Sequence, residues 1–281
     1  MPDLRTNKIL ASSGFKGGGK TYQTLKLISK YINPQDGAAP RKVIIFDTNM
    51  EYNQSAILDS NLNFKIKTIK ISDLLKFNVQ QKVEAVRILP VKEDGNMMSV
   101  KEKKDVAWSI VQGFRGGLVI LEDINNYTLN VTHEEEFVSG IINNAHRNAD
   151  IAINVQSCNM LNPVLIRNLN EHRFHYESSL PGKDKFQEKW ELYMIAKLLI
   201  DARFFKGGLN EKFCVWVDNL RFKIKGNFTQ AEYALACKKY VEIYAPRLFR
   251  QELGRMTGSP QEKTMKAITQ AVKSLFIYWG N

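Results

Sequence analysis

The chain has 281 residues, 44% of them hydrophobic and 25% charged, and its 40 Lys and Arg against 29 Asp and Glu leave a net charge of +11. This is the composition of an ordinary globular protein, with room for one large domain or a domain with an appendage. The basic excess suits a polyanionic partner, nucleic acid first and an anionic membrane second. Three cysteines, Cys158, Cys214 and Cys237, are odd in number, far apart and outside any C-x-x-C pair. Neither a disulfide framework nor a zinc site is indicated, and a reducing compartment is the simpler assumption. The N-terminus shows no apolar segment of a secretory signal, and no apolar run approaches a membrane span, so a cytoplasmic location is expected.

The first predicted element is a buried strand over 7–13. It runs into Gly14-Phe15-Lys16-Gly17-Gly18-Gly19-Lys20-Thr21, which fits G-x-x-x-x-G-K-[ST] at every fixed position. A helix over 22–31 follows, with Leu25, Leu27 and Ile28 at helical spacing. Strand, glycine turn and helix are the context this phosphate-binding motif needs. Glycines let the backbone turn tightly and aim its N–H groups at phosphate oxygens, and the helix N-terminus adds partial positive charge. Gly14, Gly17, Gly18 and Gly19 are therefore expected to cradle the phosphates of ATP. Lys20 is expected to reach the β- and γ-phosphates, and the Thr21 hydroxyl to take Mg²⁺.

A loop over 33–41 leads to a strand over 42–47 that ends in Asp47, then a loop over 48–52. Further strands are predicted over 66–71 and 83–91 around a short helix at 72–77, with a charged connection over 92–98. A helix over 99–114 is stopped by Arg115-Gly116-Gly117, and Leu118-Val119-Ile120-Leu121 is a buried strand ending in Glu122-Asp123. A helix is predicted over 132–147, capped by Thr132, with Glu134, Glu135 and Glu136 in its first turns and Arg147 at its far end. A strand over 151–155 ends at Gln156, a short helix spans 163–169, and a strand spans 172–176. Strands alternating with helices imply a parallel sheet with crossovers, whose ligands sit at the carboxyl ends of the strands. Asp47, Glu122 and Gln156 are thus expected along the edge that carries the phosphate loop.

From Ser178 the texture changes. A Pro/Gly/Lys loop over 180–185 precedes a helix over 186–205, a loop over 206–212 and one alternating strand over 213–224. A long helix over 229–250 is interrupted near Pro246, and a last helix opens with Ser259 as N-cap and Pro260 at its first position. The expected fold class is α/β, a three-layer P-loop NTPase of RecA/ASCE-like type with a mainly parallel central sheet and a helical C-terminal extension. Residues 1–180 are read as the ATPase core, and 181–281 as a part that completes the core and adds basic helices.

The acids after the 118–121 strand resemble a Walker B segment, in which a buried apolar strand delivers carboxylates to the nucleotide. The first, Glu122, is expected to hold Mg²⁺, directly or through water, and the second, Asp123, to polarise the attacking water. The order Glu-Asp inverts the usual Asp-Glu and leaves the division of labour open. Gln156 at a strand end can sense the γ-phosphate or orient water. Arg147 is a candidate arginine finger acting in trans at a subunit edge, with Arg115, Arg167 and Arg173 as competitors.

Taken together, these motifs resemble those of the FtsK–HerA-type ATPases. The loop from Gly14 to Thr21 is similar to their G-x-x-G-x-G-K-[ST]. Asp47-Thr48-Asn49-Met50-Glu51-Tyr52 resembles the D-x-x-x-E-Y after their second strand. Arg147-Asn148-Ala149-Asp150-Ile151 leading to Gln156 resembles their arginine, strand and terminal glutamine, and 162–168 resembles the segment that follows. The likeness spans about residues 7 to 178. The resemblance implies hexameric rings that move or pump DNA, with chromosome translocases, conjugation motors and packaging ATPases of membrane-containing viruses among the family, and Zot-like phage morphogenesis proteins as close relatives. It also implies roles for Lys20, Thr21, Glu51, Glu122, Gln156 and Arg147 in nucleotide binding, hydrolysis and sensing between subunits.

Between Lys238 and Asn281 eight basic residues face three acidic ones. Basic helices interleaved with aromatics suit phosphate backbones, and no helix-turn-helix, zinc-finger or homeodomain signature supports base reading. The expected function is ATP-driven, sequence-independent DNA translocation of the viral genome-packaging kind, by a self-associated, hexameric protein in the host cytoplasm or virion, with capsid or membrane proteins as further partners. Two alternatives are a Zot-like phage assembly or export ATPase and a nucleotide-gated interaction protein without DNA translocation.

Overall fold

The apolar runs of the first 170 residues become six strands: β1 (Ile9–Ser13), β2 (Lys42–Phe46), β3 (Ile66–Thr68), β4 (Ala85–Ile88), β5 (Gly117–Leu121) and β6 (Asp150–Val155). The structure is a computed structural model that describes residues 7–35, 37–127, 135–143, 147–207, 212–274 and 278–279. Its two compact units are Met1–Asn170 and Glu171–Asn281. In the first, the strands lie in the order β1-β6-β5-β2-β4-β3, and every neighbouring pair is parallel. Strands buried on both faces read as continuous apolar runs rather than alternating ones, which is why β2, β5 and β6 are plain in the sequence.

Among the described residues, the helices between these strands are α1 (Lys20–Ile32), α2 (Gln54–Asp59), α3 (Leu74–Val79), α4 (Val100–Gly113) and α5 (Glu135–Ile142), and α6 (Pro163–Asn168) follows β6. Leu25 and Ile28 of α1 pack onto one face of the sheet, in a cluster with Leu10, Val43, Ile45, Leu118, Ile120 and Ala152. α4 packs against β5. Because all six strands run the same way, their carboxyl ends share one edge. The opposite edge is pinned by Asp150, which is buried and accepts from the Lys8 backbone N–H at 2.7 Å, the Tyr31 hydroxyl at 2.6 Å and the Arg41 guanidinium at 2.7 Å.

Several boundaries in this unit differ from expectation: the strands expected over 66–71 and 83–91 are cut to β3 and β4, and α2 was not expected. β5 begins at Gly117, which the sequence assigns to the stop before the strand. A Cβ there would lie 2.2 Å from the Lys42 carbonyl oxygen and 2.7 Å from the Phe114 ring, so the strand opens on the only residue that fits. α5 ends at Ile142 and does not reach Arg147. The cap expected at Thr132 and the acid at Glu134 lie outside the described residues.

The second unit contains β7 (Glu171–His175), β8 (Cys214–Asp218), β9 (Lys223–Gly226) and β10 (Tyr278–Trp279). β7 and β8 are antiparallel, as are β8 and β9, while β10 runs parallel to β9. The single strand expected over 213–224 is therefore a hairpin. The Asp218 carboxylate accepts from the backbone N–H of Leu220 and Arg221 at 3.2 and 3.1 Å, and Phe222 adopts a φ of 50°, which turns the chain at 219–222. The helices of this unit are α7 (Lys183–Phe186), α8 (Trp190–Gly207), α9 (Gln230–Tyr244), α10 (Pro246–Arg255) and α11 (Pro260–Ser274). The helix expected over 186–205 is broken at Gln187, whose φ of 46° ends α7 ahead of a 3₁₀ turn. Thr229 with Glu232, and Ser259 with Glu262, form reciprocal capping pairs that fix the starts of α9 and α11. Most of the loop expected over 206–212, and Phe276 and Ile277 of the C-terminal tail, lie outside the described residues. Among the described residues no helix is long and apolar enough to cross a membrane.

Candidate active site

The phosphate-loop motif joins β1 to α1, as its sequence requires. Gly17 and Gly19 adopt φ values of 86° and 91°, a left-handed backbone that strains any residue with a Cβ. The Gly18 N–H donates to the Phe15 carbonyl at 3.2 Å and closes the turn, and Gly19 occupies the N-cap position of α1. The Lys20 ammonium donates to the carbonyls of Gly14 and Phe15, which holds it across the loop. Lys16 is exposed.

Beyond β2 the chain turns sharply, with Met50 at a φ of 58°. Asp47 builds that turn. It is fully buried, and its two oxygens accept from the backbone N–H of Glu51 at 2.9 Å and of Tyr52 at 3.2 Å. Arg87 on β4 donates to the same carboxylate at 3.0 Å and to the Tyr52 carbonyl at 2.9 Å. Burial raises the Asp47 carboxyl above its ordinary range, against the pull of those N–H groups and of Arg87. The spacing in D-x-x-x-E-Y thus has a physical cause, because one aspartate orients two successive residues. Glu51 accepts the Thr21 hydroxyl, and Tyr52 donates its hydroxyl to Glu122.

Glu122 and Asp123 follow β5 with different surroundings. Glu122 is 4% exposed, and its Oε1 accepts from both the Tyr52 hydroxyl and the Asn154 amide. Burial pushes its carboxyl up to about 7, with Glu51 and Asp123 adding in the same direction and the two hydrogen bonds opposing. Burial first, and then the neighbouring Glu122, raises the Tyr52 phenol well above its ordinary value, so its proton stays available for donation. Asp123 sits in a left-handed conformation, with a φ of 40°. Its Oδ2 accepts from the Asn49 amide at 2.6 Å and the Gln156 amide at 3.3 Å. Gln156 is itself exposed, at the end of β6.

Lys20, Thr21, Glu51, Glu122, Asp123 and Gln156 therefore gather along the carboxyl edge of one parallel sheet with the glycine loop. Arg147, the candidate finger in trans, does not join them. It precedes β6, and its carbonyl accepts from the Gly116 N–H ahead of β5, so it lies at the opposite edge. Its guanidinium donates to the Gly140 carbonyl at 3.1 Å and to the Gln112 side chain. Burial, with Arg115 nearby, lowers its pKa. Of the other arginines considered, Arg115 donates to the carbonyls of Gln112 and Phe114, again ahead of β5. Arg173 is buried over the Trp216 ring, and Arg167 stands exposed in the last turn of α6.

Sequence reasoning missed Asn154 and Asn49, which hold Glu122 and Asp123. Asn154 carried one available signal: it lies two residues before Gln156, on the same strand face, as a lone polar residue in an apolar run. The donors present suit Mg²⁺. Thr21 and Glu51 bring a hydroxyl and a carboxylate together, all-oxygen ligands of the kind this cation takes in ones and twos alongside substrate phosphates. Among the described residues no cluster of three or more His, Cys, Asp or Glu forms a metal cage. The arrangement can bind a triphosphate and present carboxylates to water beside it.

No protein-family model matches the chain, and no curated protein matches it. Its fold is similar to solved structures of low sequence identity. The genome packaging NTPase B204 from Sulfolobus turreted icosahedral virus 2, in complex with AMP, is 14% identical with a TM-score of 0.48, over 78% of this chain and 96% of that one. B204, the DNA-packaging ATPase from Sulfolobus turreted icosahedral virus, is 14% identical with a TM-score of 0.42, over 76% and 93%. The N-terminal domain of zonular occludens toxin from Neisseria meningitidis is 14% identical with a TM-score of 0.34, over 62% and 79%.

Proposed function

We propose that the chain is a Mg²⁺-dependent ATPase that drives DNA movement of the genome-packaging kind. The observation that carries this reading is the meeting of the glycine loop, the Thr21–Glu51 pair and the Glu122, Asp123 and Gln156 side chains on one sheet edge. Loop N–H groups and Lys20 hold the β- and γ-phosphates. Thr21 and Glu51 hold Mg²⁺, which when bound neutralises charge on the phosphate oxygens. Asp123, steadied by Asn49, and Gln156 orient the attacking water. Glu122, expected from sequence to serve the metal, is assigned to the water instead. Its Oε1 is taken by two donors, its Oε2 is bonded to nothing among the described residues, and a carboxyl titrating near neutrality suits a proton acceptor. The water loses its proton to Glu122 as it attacks the γ-phosphorus in line. The bond between the γ-phosphorus and the bridging oxygen breaks, ADP leaves with that oxygen and the bonding pair, and the γ-phosphoryl group departs as inorganic phosphate.

Arg147 stands away from its own subunit's site, which suits a role in a neighbouring copy of a ring. The DNA-contacting surface is assigned to the basic helices of the second unit. There, exposed Lys239, Arg247, Lys266 and Lys273 make no ion pair among the described residues, while Lys238 and Arg255 are matched by Glu242 and Glu252. The experiment is multiple-turnover ATP hydrolysis with and without duplex DNA of mixed sequence. Stimulation by DNA is expected. Turnover that duplex DNA leaves unchanged would overturn the translocase reading, and ATP binding without repeated turnover would favour a nucleotide-gated interaction protein.

A further inference from the structure

β6 is buried along its whole length, and position 154 shares the sheet face of Ala152, which packs in the apolar cluster beneath α1. A branched aliphatic residue is the choice expected there. The chain instead carries an amide that is 1% exposed. Its nitrogen donates to Glu122 Oε1 and, at 3.2 Å, to the Thr24 hydroxyl, with the Tyr52 hydroxyl at 3.5 Å. Its oxygen has no partner among the described residues. The register partner of Asn154 on β1 is Ser12, whose hydroxyl is likewise buried and without a partner. Two such oxygens thus face the same side on adjacent strands, two residues before the phosphate loop opens at Gly14.

The bonds that are made all bear on one carboxylate. A glutamate turns freely about its last torsion, but two donors on Oε1 fix the carboxylate plane and leave Oε2 as the only oxygen free to act. Thr24 ties the same amide to α1, the helix that begins at the phosphate loop. We propose that Asn154 is a positioning residue: with Tyr52 it clamps Glu122 Oε1, so that Oε2 is presented to the attacking water, and through Thr24 it keeps that carboxylate in register with the loop. The proposal rests on the ATPase reading above, and deepens it by naming what holds the water-activating acid in place.

Asn154→Leu keeps the branching at Cγ, adds some volume and removes both donors. Turnover is expected to fall at least about 10-fold, while the dissociation constant for a fluorescent ATP analogue stays within about 3-fold of the parent, because the loop is untouched. Combining it with Glu122→Gln is expected to add little to the loss from Glu122→Gln alone, since both changes disable one unit. A second readout needs no turnover. In nucleotide-free protein, the shifts in unfolding midpoint from Asn154→Leu and Glu122→Gln are expected not to sum in the double variant. If Asn154→Leu does not fold, Asn154→Ser, too short to reach Glu122, takes the same tests with the same expectations. Parent-like turnover, or losses and midpoint shifts that simply add, would overturn the proposal. Lys20→Ala serves as the control on the reading beneath it. Loss of nucleotide binding there, together with an inert Asn154 substitution, refutes the positioning role alone. A Lys20→Ala protein that still binds and hydrolyses ATP refutes the ATPase site.

Discussion

Glu122→Gln should make the protein more stable and less active, and the stability gain should depend on pH in a calculable way. The carboxyl is buried and titrates near 7, against an ordinary value of 4.5. Between those two values the folded chain keeps a proton that the unfolded chain has released. Stability is therefore fully present below the unfolded value and is lost as pH rises through the folded one. Each pH unit in that window is worth about 1.4 kcal/mol, so the parent loses about 3 kcal/mol by about pH 8 from this group alone. Glutamine cannot ionise, and its carbonyl oxygen still accepts from Tyr52 and Asn154. In urea unfolding of both proteins, the variant should gain about 3 kcal/mol on the parent between about pH 4.5 and pH 8, with the rise centred in that window. Hydrolysis should fall about 100-fold in the same variant, the ordinary size of a lost general base. A stability difference that stays flat with pH would refute the reasoning, because it would mean that Glu122 ionises in the folded chain as easily as in the unfolded one.

Asp47→Asn should cost about 3 kcal/mol in unfolding free energy, because it leaves the half-buried Arg87 without its charge partner. It should also depress turnover by disordering Glu51 and Tyr52 together, and unchanged melting would show that the turn does not depend on the ion pair. Arg147→Ala should lower turnover while sparing ATP affinity, with a loss that mixing in Lys20→Ala subunits alters; parent-like turnover would return Arg147 to a purely structural role beside Gln112. Replacing Lys239, Arg247, Lys266 and Lys273 by Ala should weaken duplex DNA binding uniformly across sequences. It should also flatten the dependence of log affinity on log salt by about 0.9 for each phosphate that is no longer neutralised. An unaltered salt slope in a filter-binding titration would move the DNA surface elsewhere.

What the sequence made legible follows from how each element is buried. β2, β5 and β6 stand out because parallel strands covered on both faces are unbroken apolar runs, and the glycine loop stands out because its backbone geometry admits few residues. The hairpin of β8 and β9 did not stand out, since its apolar alternation carries on through a turn that holds no glycine or proline and depends on Asp218 and the left-handed Phe222. The break at Gln187 is hidden in the same way by a helical pattern that runs through it. In the site, Glu51 was visible through motif spacing, and the structure adds its cause in Asp47. The clamp on Glu122 is not legible as a unit because Thr24 on α1, Tyr52 in the loop after β2 and Asn154 on β6 are far apart in sequence, and only the fold brings them together. Arg147 is near Gln156 in sequence but not in space, because the direction of β6 puts its start and its end on opposite edges.

The ATPase site is tested most directly by ATP binding and Mg²⁺-dependent hydrolysis by the parent and by Lys20→Ala, side by side. Repeated turnover that requires Mg²⁺ is expected of the parent, and loss of turnover with much weaker nucleotide binding is expected of the variant. Equal binding and equal turnover in the two proteins would contradict that site assignment.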